Sequence, residues 1–437
     1  MNNAESAALN LVCRERGWTA AADGESADLV LINTCSVRLT AEQRALGRIA
    51  LYASIKKKHL ARGQSFVLVV AGCMAQRMGK TLKEQYPAVD YVMGTSSRSM
   101  FPLILEAAEK NAAPIIMDET PQFSFSSSHL EEGQFRSFIP IMHGCNNFCS
   151  YCIVPYVRGR EICRDPRLIA EEIRLVGERG VREVTLLGQN VNTYNWGEES
   201  HNALDFAGLL RIAAAEAEKS GVKRLRFLSA NPKDFSSQTI SIMAENPVFC
   251  RHLHLCVQHG SDRILTAMNR GYTRERYLAL VQEIRSAMPG ISLSTDILVG
   301  FPGETEDDVE KTLELMEEVR FLYSYMYHYN PREGTAAYSL PDRVSEEVKR
   351  ERLSRVITLQ KKHTAALLKQ RIGAKEIVLI EGISRKNADE LITRTEKDEM
   401  VVVPGPASMI GSFAGLTLSG LRGNTFRAKE LRPCGRV

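Results

Sequence analysis

The sequence predicts an α/β protein in three parts: an N-terminal domain with a parallel sheet, a full or partial barrel of β–α units, and a small C-terminal β-barrel. Three observations carry this reading. Short apolar runs alternate with helical stretches through residues 1–111, as in a sheet covered by helices on both faces. Six further runs alternate with helices across residues 134–365, enough units for a barrel of parallel strands. Within residues 370–435 the pattern changes to short strands with frequent turns, the mark of a small all-β module.

In the first part, residues 4–17 and 41–62 have helical periodicity. The runs 28–33 (DLVLIN), 65–71 (SFVLVVA) and 91–93 read as buried strands, and a helix is expected around 101–108. Residues 112–133 hold Pro114, Pro121 and a serine-rich stretch at 124–128, which reads as a linker. Barrel strands are expected at 138–142, 183–187, 224–228, 252–256, 292–299 and 321–327, with helices at 167–178, 206–219, 274–287 and 306–318. Residues 344–372 read as one long helix. It carries eight Lys/Arg: Lys349, Arg350, Arg352, Arg355, Lys361, Lys362, Lys369 and Arg371. Strands of the last module are expected at 376–381, 390–395, 400–403, 412–418 and 424–429.

Composition narrows the class. The 437 residues are 44% hydrophobic and 25% charged, ordinary for a globular chain. No apolar run approaches the roughly 20 residues that span a bilayer, and the N-terminus lacks a signal-peptide pattern. A cytoplasmic location is therefore expected. There, ten cysteines point to metal binding or chemistry rather than to structural disulfides. A net charge of +4 is too small to imply nucleic-acid binding by itself, so local clusters must carry that case.

The strongest local signal is CNNFCSYC. Cys145, Cys149 and Cys152 follow a predicted strand in a loop opened by His143-Gly144. Three thiolates on one short loop suit three irons of a [4Fe–4S] cluster. Zinc is the competing reading, but it normally takes paired cysteine or histidine ligands, and no matching pair lies downstream. The spacing, with Tyr151 before the last cysteine, resembles the signature of the radical S-adenosylmethionine (SAM) superfamily. In such enzymes the open iron chelates SAM, and an electron from the cluster breaks its C–S bond to give a 5′-deoxyadenosyl radical.

Two more cysteines share a position. Cys35 ends DLVLINTC and Cys73 ends FVLVVAGC, each at the carboxyl end of a predicted parallel strand. Open α/β sheets bind ligands there, so the two are candidate neighbours in space. Structural burial of both thiols is an equal alternative. Cys13, Cys163, Cys250, Cys256 and Cys434 carry no such signal.

The barrel strands also run into polar or glycine-rich strings. These contain Gly188, Gln189 and Asn190, then Ser229, then Gln258, then Asp296 ahead of Gly300-Phe301-Pro302-Gly303-Glu304, and finally 330–334 (NPREG). Barrel enzymes build their sites at this face. Gly188, Gln189, Asn190, Ser229, Gln258 and Asp296 are therefore the candidate cofactor contacts.

Taken with these strings, NTCSVRLTAEQRALGRI, VAGCMAQR, VDYVMGT, HGCNNFCSYCIVPYVRGRE, LLGQNVNTY, HLHLCVQHGSD, STDILVGFPGETEDD and YNPREGTAA resemble the radical-SAM methylthiotransferases over almost the whole chain. GQNVN and NTCSVR are most similar to the group that methylthiolates C2 of N(6)-dimethylallyladenosine beside the tRNA anticodon. The resemblance implies a methylthiotransferase domain at 1–111, a radical-SAM core at 134–365 and an RNA-binding TRAM β-barrel at 370–435. It implies SAM and two [4Fe–4S] clusters, one on Cys145, Cys149 and Cys152, the other auxiliary, with Cys35 and Cys73 as two of its three ligands. The expected partners are tRNA and a reductant protein, with no membrane, and the chain is expected to act as a monomer. An inert aromatic C2–H offers no acidic proton, so radical chemistry and an unstacked base suit the reaction. The basic helix and Arg385, Lys386, Arg422 and Arg427 are the candidate phosphate grips.

The sequence departs from the family in places. The family begins with a strand and Gly-Cys-Gln-Met-Asn, whereas this sequence starts at what corresponds to the Met-Asn. Cys13, about three helical turns further on, is a poor substitute for the first auxiliary cysteine. The expectation is that the natural start lies upstream. A truly shortened chain would instead cleave SAM without full methylthiolation. Cys256 stands where proline is usual, His259 where serine is usual, and Cys163-Arg164-Asp165 is unusual after RGRE. Alternatives to the main reading are another tRNA base or a ribosomal protein as substrate, or a non-catalytic iron–sulfur RNA-binding protein.

Overall fold

The computed structural model describes residues 2–36, 39–110, 123–125, 133–197 and 203–433. Its contacts divide the chain into two units, residues 1–129 with 143–148 and 152–162, and residues 130–142 with 149–151 and 163–437. Most of the predicted linker 112–133, and Cys434, lie outside the described residues.

The first unit is a three-stranded parallel sheet in the order β1 (Leu29–Thr34), β2 (Val67–Gly72), β3 (Tyr91–Met93). Strand β2 is central and apolar at every position because helices cover both its faces. Leu68 and Val70 pack with Ile49, Met74 and Leu82 of α2 (Leu39–Ala61) and α3 (Cys73–Gln85). Val69 and Ala71 turn the other way, to Leu9 of α1 (Asn2–Glu15) and to Phe101, Ile104 and Leu105 of α4 (Phe101–Glu109). This is the alternation that period-two strand geometry requires. The same unit includes the short helix α5 (Val154–Arg158).

The second unit is built on six parallel strands: β4 (Arg136–Pro140), β5 (Glu183–Leu187), β6 (Arg224–Phe227), β7 (His252–His254), β8 (Ser292–Val299) and β9 (Tyr323–His328). They follow one another in sequence order as two ladders of three, joined by a parallel bridge between Ala230 and Leu255. The expected barrel is therefore partial among the described residues, with β4 and β9 as its edges. Helices α6 (Pro166–Glu178), α7 (Phe206–Ser220), α8 (Ser237–Glu245), α9 (Asp262–Ala267), α10 (Arg274–Ala287) and α11 (Glu306–Val319) connect the strands. Local chemistry sets several starts: Asp165 caps α6, Thr273 caps α10, and Thr305 with Asp308 forms a capping box on α11. The helices α8 and α9 lie outside the expected set; at nine and six residues they span about two and a half turns and under two turns, too few for a clear apolar period.

After β9 comes the long helix α12 (Glu346–Gln370). Its reading as a free basic face needs correction. Glu346, Glu347 and Glu351 stand in it beside the bases. Lys349 and Arg352 are buried, and Arg352 donates to Glu304 at 2.9 Å. Arg355 is paired with Glu306 and Glu310. Arg352 and Arg355 tie the helix to α11 and the turn before it, Lys349 pairs with Glu346 of its own helix, and none of the three is free for phosphate.

Then come β10 (Lys375–Ser384), β11 (Asn387–Thr395), β12 (Met400–Pro404), β13 (Phe413–Arg422) and β14 (Thr425–Ala428), paired antiparallel except for the parallel pair β12–β14. Pairing of β10 with both β11 and β13 closes the expected small barrel. Its core is Val378, Ile380, Leu391, Val401, Val403, Leu416 and Phe426. It rests on the amino ends of the six strands. Arg224, the first residue of β6, donates to the carbonyls of Ile377 and Arg394 at 2.7 and 3.0 Å. Arg226 donates to Glu396 O at 2.9 Å. Glu183, 1% exposed, ion-pairs with Arg136, Arg226 and Arg224 at 2.7, 3.3 and 3.8 Å. Burial opposes its charge, but the three guanidinium groups hold its carboxyl below the usual range. No described helix is long and apolar enough to cross a membrane.

Candidate functional site

The loop 145–152 leaves the carboxyl end of β4, the end at which barrel strands present their chemistry. Gly144 has φ +79°, and a Cβ there would fall 2.0 Å from the carbonyl oxygen of Arg160, so only glycine fits. Cys145 N donates to Gly159 O at 3.2 Å. Within the second unit, Ser150 N donates to Met268 O at 3.0 Å, and Ser150 Oγ to Ala267 O at 2.8 Å. Cys145 and Cys149 are each 9% exposed, and Cys152 is half-buried. None of the nine described cysteines is in a disulfide.

Arg270, which no spacing rule marked, reaches one of these thiols. Its Nη1 donates to Cys149 Sγ at 3.2 Å and its Nη2 to Cys256 O at 2.9 Å. A buried cation directed at a cysteine sulfur is the partner an anionic metal–thiolate centre calls for. This fits an iron–sulfur cluster on the loop.

The pairing of Cys35 with Cys73 is likewise geometric. Thr34 stands opposite Gly72 in the parallel register of β1 and β2, and the next residue on each strand is a cysteine. Gly72, φ +95°, lets the chain turn so that Cys73 starts α3; a Cβ on it would meet Thr34 O at 2.5 Å. Cys73 is 3% exposed, and burial pushes its thiol up while the Arg158 guanidinium pulls it down. Arg158 also ion-pairs with Glu5 at 2.6 Å, and Arg98 with Glu5 at 3.1 Å. Beside Arg158, His143 is fully buried and pushed down to about 3, by burial first and then by the two arginines, so it is neutral. Cys13 sits in the last turn of α1 and packs into the apolar core, as expected of a structural cysteine. Cys250 is also core, its thiol pushed up to about 12 by burial.

The strand-end residues gather at the carboxyl face of the partial barrel. A Cβ on Gly188 would lie 2.5 Å from the Met142 side chain. Gln189 Oε1 and Asn190 Oδ1 are buried with no hydrogen-bond partner among the described residues. Buried polar atoms left in this state suit a ligand that would satisfy them. Ser229 and Gln258 hold left-handed backbone angles, φ 68° and 70°, which non-glycine residues adopt at a cost and chiefly at working sites. Asn192 and Asn231 brace two of these loops: Asn192 Nδ2 donates to Asn231 O, and Asn231 N to Asn192 Oδ1, both at 2.8 Å. Asp296 behaves differently from the other candidates. Its Oδ2 lies 3.3 Å from Cys256 Sγ and 3.5 Å from His254 Nε2. His259 is structural: it lies 3.1 Å from Glu304, whose carboxylate also accepts from Gly300 N and Arg352.

Known proteins align with this arrangement. Residues 139–316 match the Radical SAM superfamily, and residues 1–94 match the family described as "Uncharacterized protein family UPF0004". The chain is 47% identical over 442 residues to the tRNA-2-methylthio-N(6)-dimethylallyladenosine synthase of Treponema denticola, covering 98% of this chain and 97% of that one. It is 42% identical to the protein of the same name from Geobacter sulfurreducens, covering 96% and 92%. Among solved structures it resembles the radical SAM methyltransferase TsrM from Kitasatospora setae, with TM-score 0.58, 16% identity and coverage of 76% and 73%. It also resembles the cobalamin-dependent SAM radical enzyme OxsB, with TM-score 0.51, 11% identity and coverage of 82% and 54%. At such identities these two show a shared fold only. The near-complete, 47% identical relative shows more, and by it this chain belongs to the radical-SAM methylthiotransferases, among the tRNA-2-methylthio-N(6)-dimethylallyladenosine synthases.

Proposed function

We infer that the chain is a transferase that places a methylthio group on C2 of N(6)-dimethylallyladenosine in tRNA, using SAM and two [4Fe–4S] clusters. The observation that carries this reading is the three-cysteine loop at the carboxyl end of β4 in a chain 47% identical to synthases of that name. We assign Cys145, Cys149 and Cys152 as ligands of the SAM-cleaving cluster, and Cys35 with Cys73 as ligands of the auxiliary cluster. Bound there, the cluster and SAM supply the radical chemistry that an unactivated C2–H demands.

The protein's own contribution is positional. Arg270 sets a fixed positive charge on the Cys149 sulfur. Gly188 lets this loop lie directly against Met142, and Gln189, Asn190, Ser229 and Gln258 present at the carboxyl face the amide and backbone groups we assign to SAM. Burial of Cys145 and Cys149 would limit water at a cluster held there. Asn192 and Asn231 tie two of these loops to each other, which restricts their movement.

The β10–β14 barrel is assigned to tRNA, with Arg385, Lys386 and Arg422, all exposed, as its phosphate contacts. Arg427 is set aside, because it is paired with Glu390 at 2.7 Å. A protein reductant for the clusters, work as a monomer and a cytoplasmic location complete the reading. Mass spectrometry of tRNA nucleosides from a deletion strain tests it. Loss of the methylthio group from isopentenylated adenosine, restored by the gene, supports it; an unchanged nucleoside profile rejects it.

A further inference from the structure

Beside the cluster loop, three side chains of the second unit converge on one point. His254 and Ser294 face each other in the register of β7 and β8. Cys256 and Asp296 each lie two residues further along, so all four side chains leave the same face. His254 Nε2 to Cys256 Sγ is 3.2 Å, Cys256 Sγ to Asp296 Oδ2 is 3.3 Å, and His254 Nε2 to Asp296 Oδ2 is 3.5 Å. Behind them, Ser294 Oγ lies 3.0 Å from both His254 Nδ1 and His252 Nε2. One hydroxyl proton can serve only one of those two nitrogens, so at least one imidazole must donate to Ser294 Oγ. With His254 Nδ1–H as that donor and His252 as the acceptor, the lone pair of His254 Nε2 points at the sulfur and the carboxylate.

Metal binding displaces the protons these groups share, the Cys256 thiol donating to Asp296 in the metal-free site, and an imidazole nitrogen, a sulfur and a carboxylate oxygen then meet with their electron pairs inward. Zinc takes such ligands at about 2.0–2.3 Å in a tetrahedron, whose edges are roughly 3.3–3.6 Å. The three measured separations fall within a few tenths of an ångström of those edges. Ser294 supplies the outer hydrogen bond that orients a ligating histidine. His254 and Cys256 are 8% and 9% exposed, while the Asp296 side chain is 28% exposed, so the cluster opens on the Asp296 side. The nearest guanidinium, Arg270, is directed at Cys149 Sγ and at the Cys256 carbonyl rather than into the cluster.

We propose that His254, Cys256 and Asp296 form a mononuclear site for a divalent thiophilic cation such as Zn²⁺, with its fourth position open to water or an incoming thiolate. The site is distinct from the cysteine loop and does not depend on the tRNA reading. The alternative is a set of side chains that only hydrogen-bond to one another.

The anaerobically reconstituted protein, with its clusters in place, is dialysed against zinc sulfate under a competing chelator, and bound zinc and iron are measured together. One zinc per chain is expected in the wild type. Cys256→Ala and Asp296→Asn are each expected to weaken zinc binding at least tenfold with iron unchanged. Zinc-edge absorption is expected to show one sulfur at about 2.3 Å and lighter ligands at about 2.0 Å. Equal zinc retention in both variants with iron intact overturns the proposal, as does the absence of zinc from the wild type. A coordination sphere of several sulfurs also overturns it, because it would place the ion on the cluster cysteines. Should Cys256→Ala lose its iron or fail to fold, Asp296→Asn and the wild-type absorption spectrum decide.

Discussion

Arg270 Nη1 meets Cys149 Sγ at 3.2 Å across 121 residues of sequence. A hydrogen bond from a buried cation to a cluster thiolate stabilises the reduced, more negative state. Arg270→Gln should therefore lower the reduction potential of that cluster. A charge-assisted bond of about 1.5–3 kcal/mol corresponds to roughly 65–130 mV for one electron. Spectroscopic redox titration reads the shift, and an unchanged potential in an iron-replete variant rejects it.

The two cysteine groups should separate in their products. Alanine at Cys145, Cys149 or Cys152 should remove about four irons and abolish 5′-deoxyadenosine formation. Alanine at Cys35 or Cys73 should leave 5′-deoxyadenosine formation largely intact and abolish methylthio transfer. Iron assays with product mass spectrometry check both. Methylthiolated tRNA from Cys35→Ala at wild-type yield would remove that residue from sulfur delivery.

Acid should loosen the first unit through Glu5. Burial opposes the charge of this carboxylate, but Arg158 and Arg98 hold its pKa at about 2, below the ordinary 4.5. A pKa depressed on folding contributes stability that is present above pH 4.5 and is lost as pH falls toward 2. The size is roughly 3 kcal/mol. Glu5→Gln should lower stability at pH 7 and flatten the dependence between those limits. Urea unfolding at several pH values measures it; parallel profiles for the two proteins would contradict the assignment.

Glu183 is the counter-charge for Arg136, Arg224 and Arg226. Glu183→Ala leaves Arg224 and Arg226 buried without a carboxylate, while Arg136 keeps Glu381 at 2.8 Å, at a cost of about 3–5 kcal/mol. The cleavage pattern in limited proteolysis should show the C-terminal barrel released first. Wild-type resistance would show that the arginine–carbonyl bonds suffice.

Arg385 and Lys386 cap the β10–β11 turn in the open. Their double replacement by alanine should lower tRNA affinity and reduce the slope of log affinity against log salt by roughly 1.5. Binding isotherms at several salt concentrations give the slope. If it does not move, the turn makes no phosphate contact.

Much of this was legible in the sequence, for identifiable reasons. Strands β3, β5 and β8 and helix α10 fall at their expected bounds, because apolar runs between polar turns leave little choice. The nearness of Cys35 and Cys73 followed from both ending parallel strands, a consequence of topology that needs no contact to be seen. Arg270 was invisible because no local pattern distinguishes an arginine that will be buried beside a sulfur from one in water. The basic helix misled for the same reason. Composition counts charges, whereas Arg352 and Arg355 are defined by Glu304, Glu306 and Glu310, which lie on or just before another helix. The hydrogen-bonded set at Cys256 could not be read from sequence, since it depends on a neighbouring strand's register.

The arginines of β6 that donate to the small barrel have a geometric consequence for the substrate. The site proposed above sits at the opposite end of the same strands, and β8 alone, with eight residues, is roughly 26 Å long. If the small barrel grips RNA, the strands act as a ruler between handle and tool. An adenosine is then selected partly by its distance along the nucleic acid from a held phosphate, before any of its edges is read. A stem shortened or lengthened by a base pair would present the wrong nucleotide to a correctly built pocket.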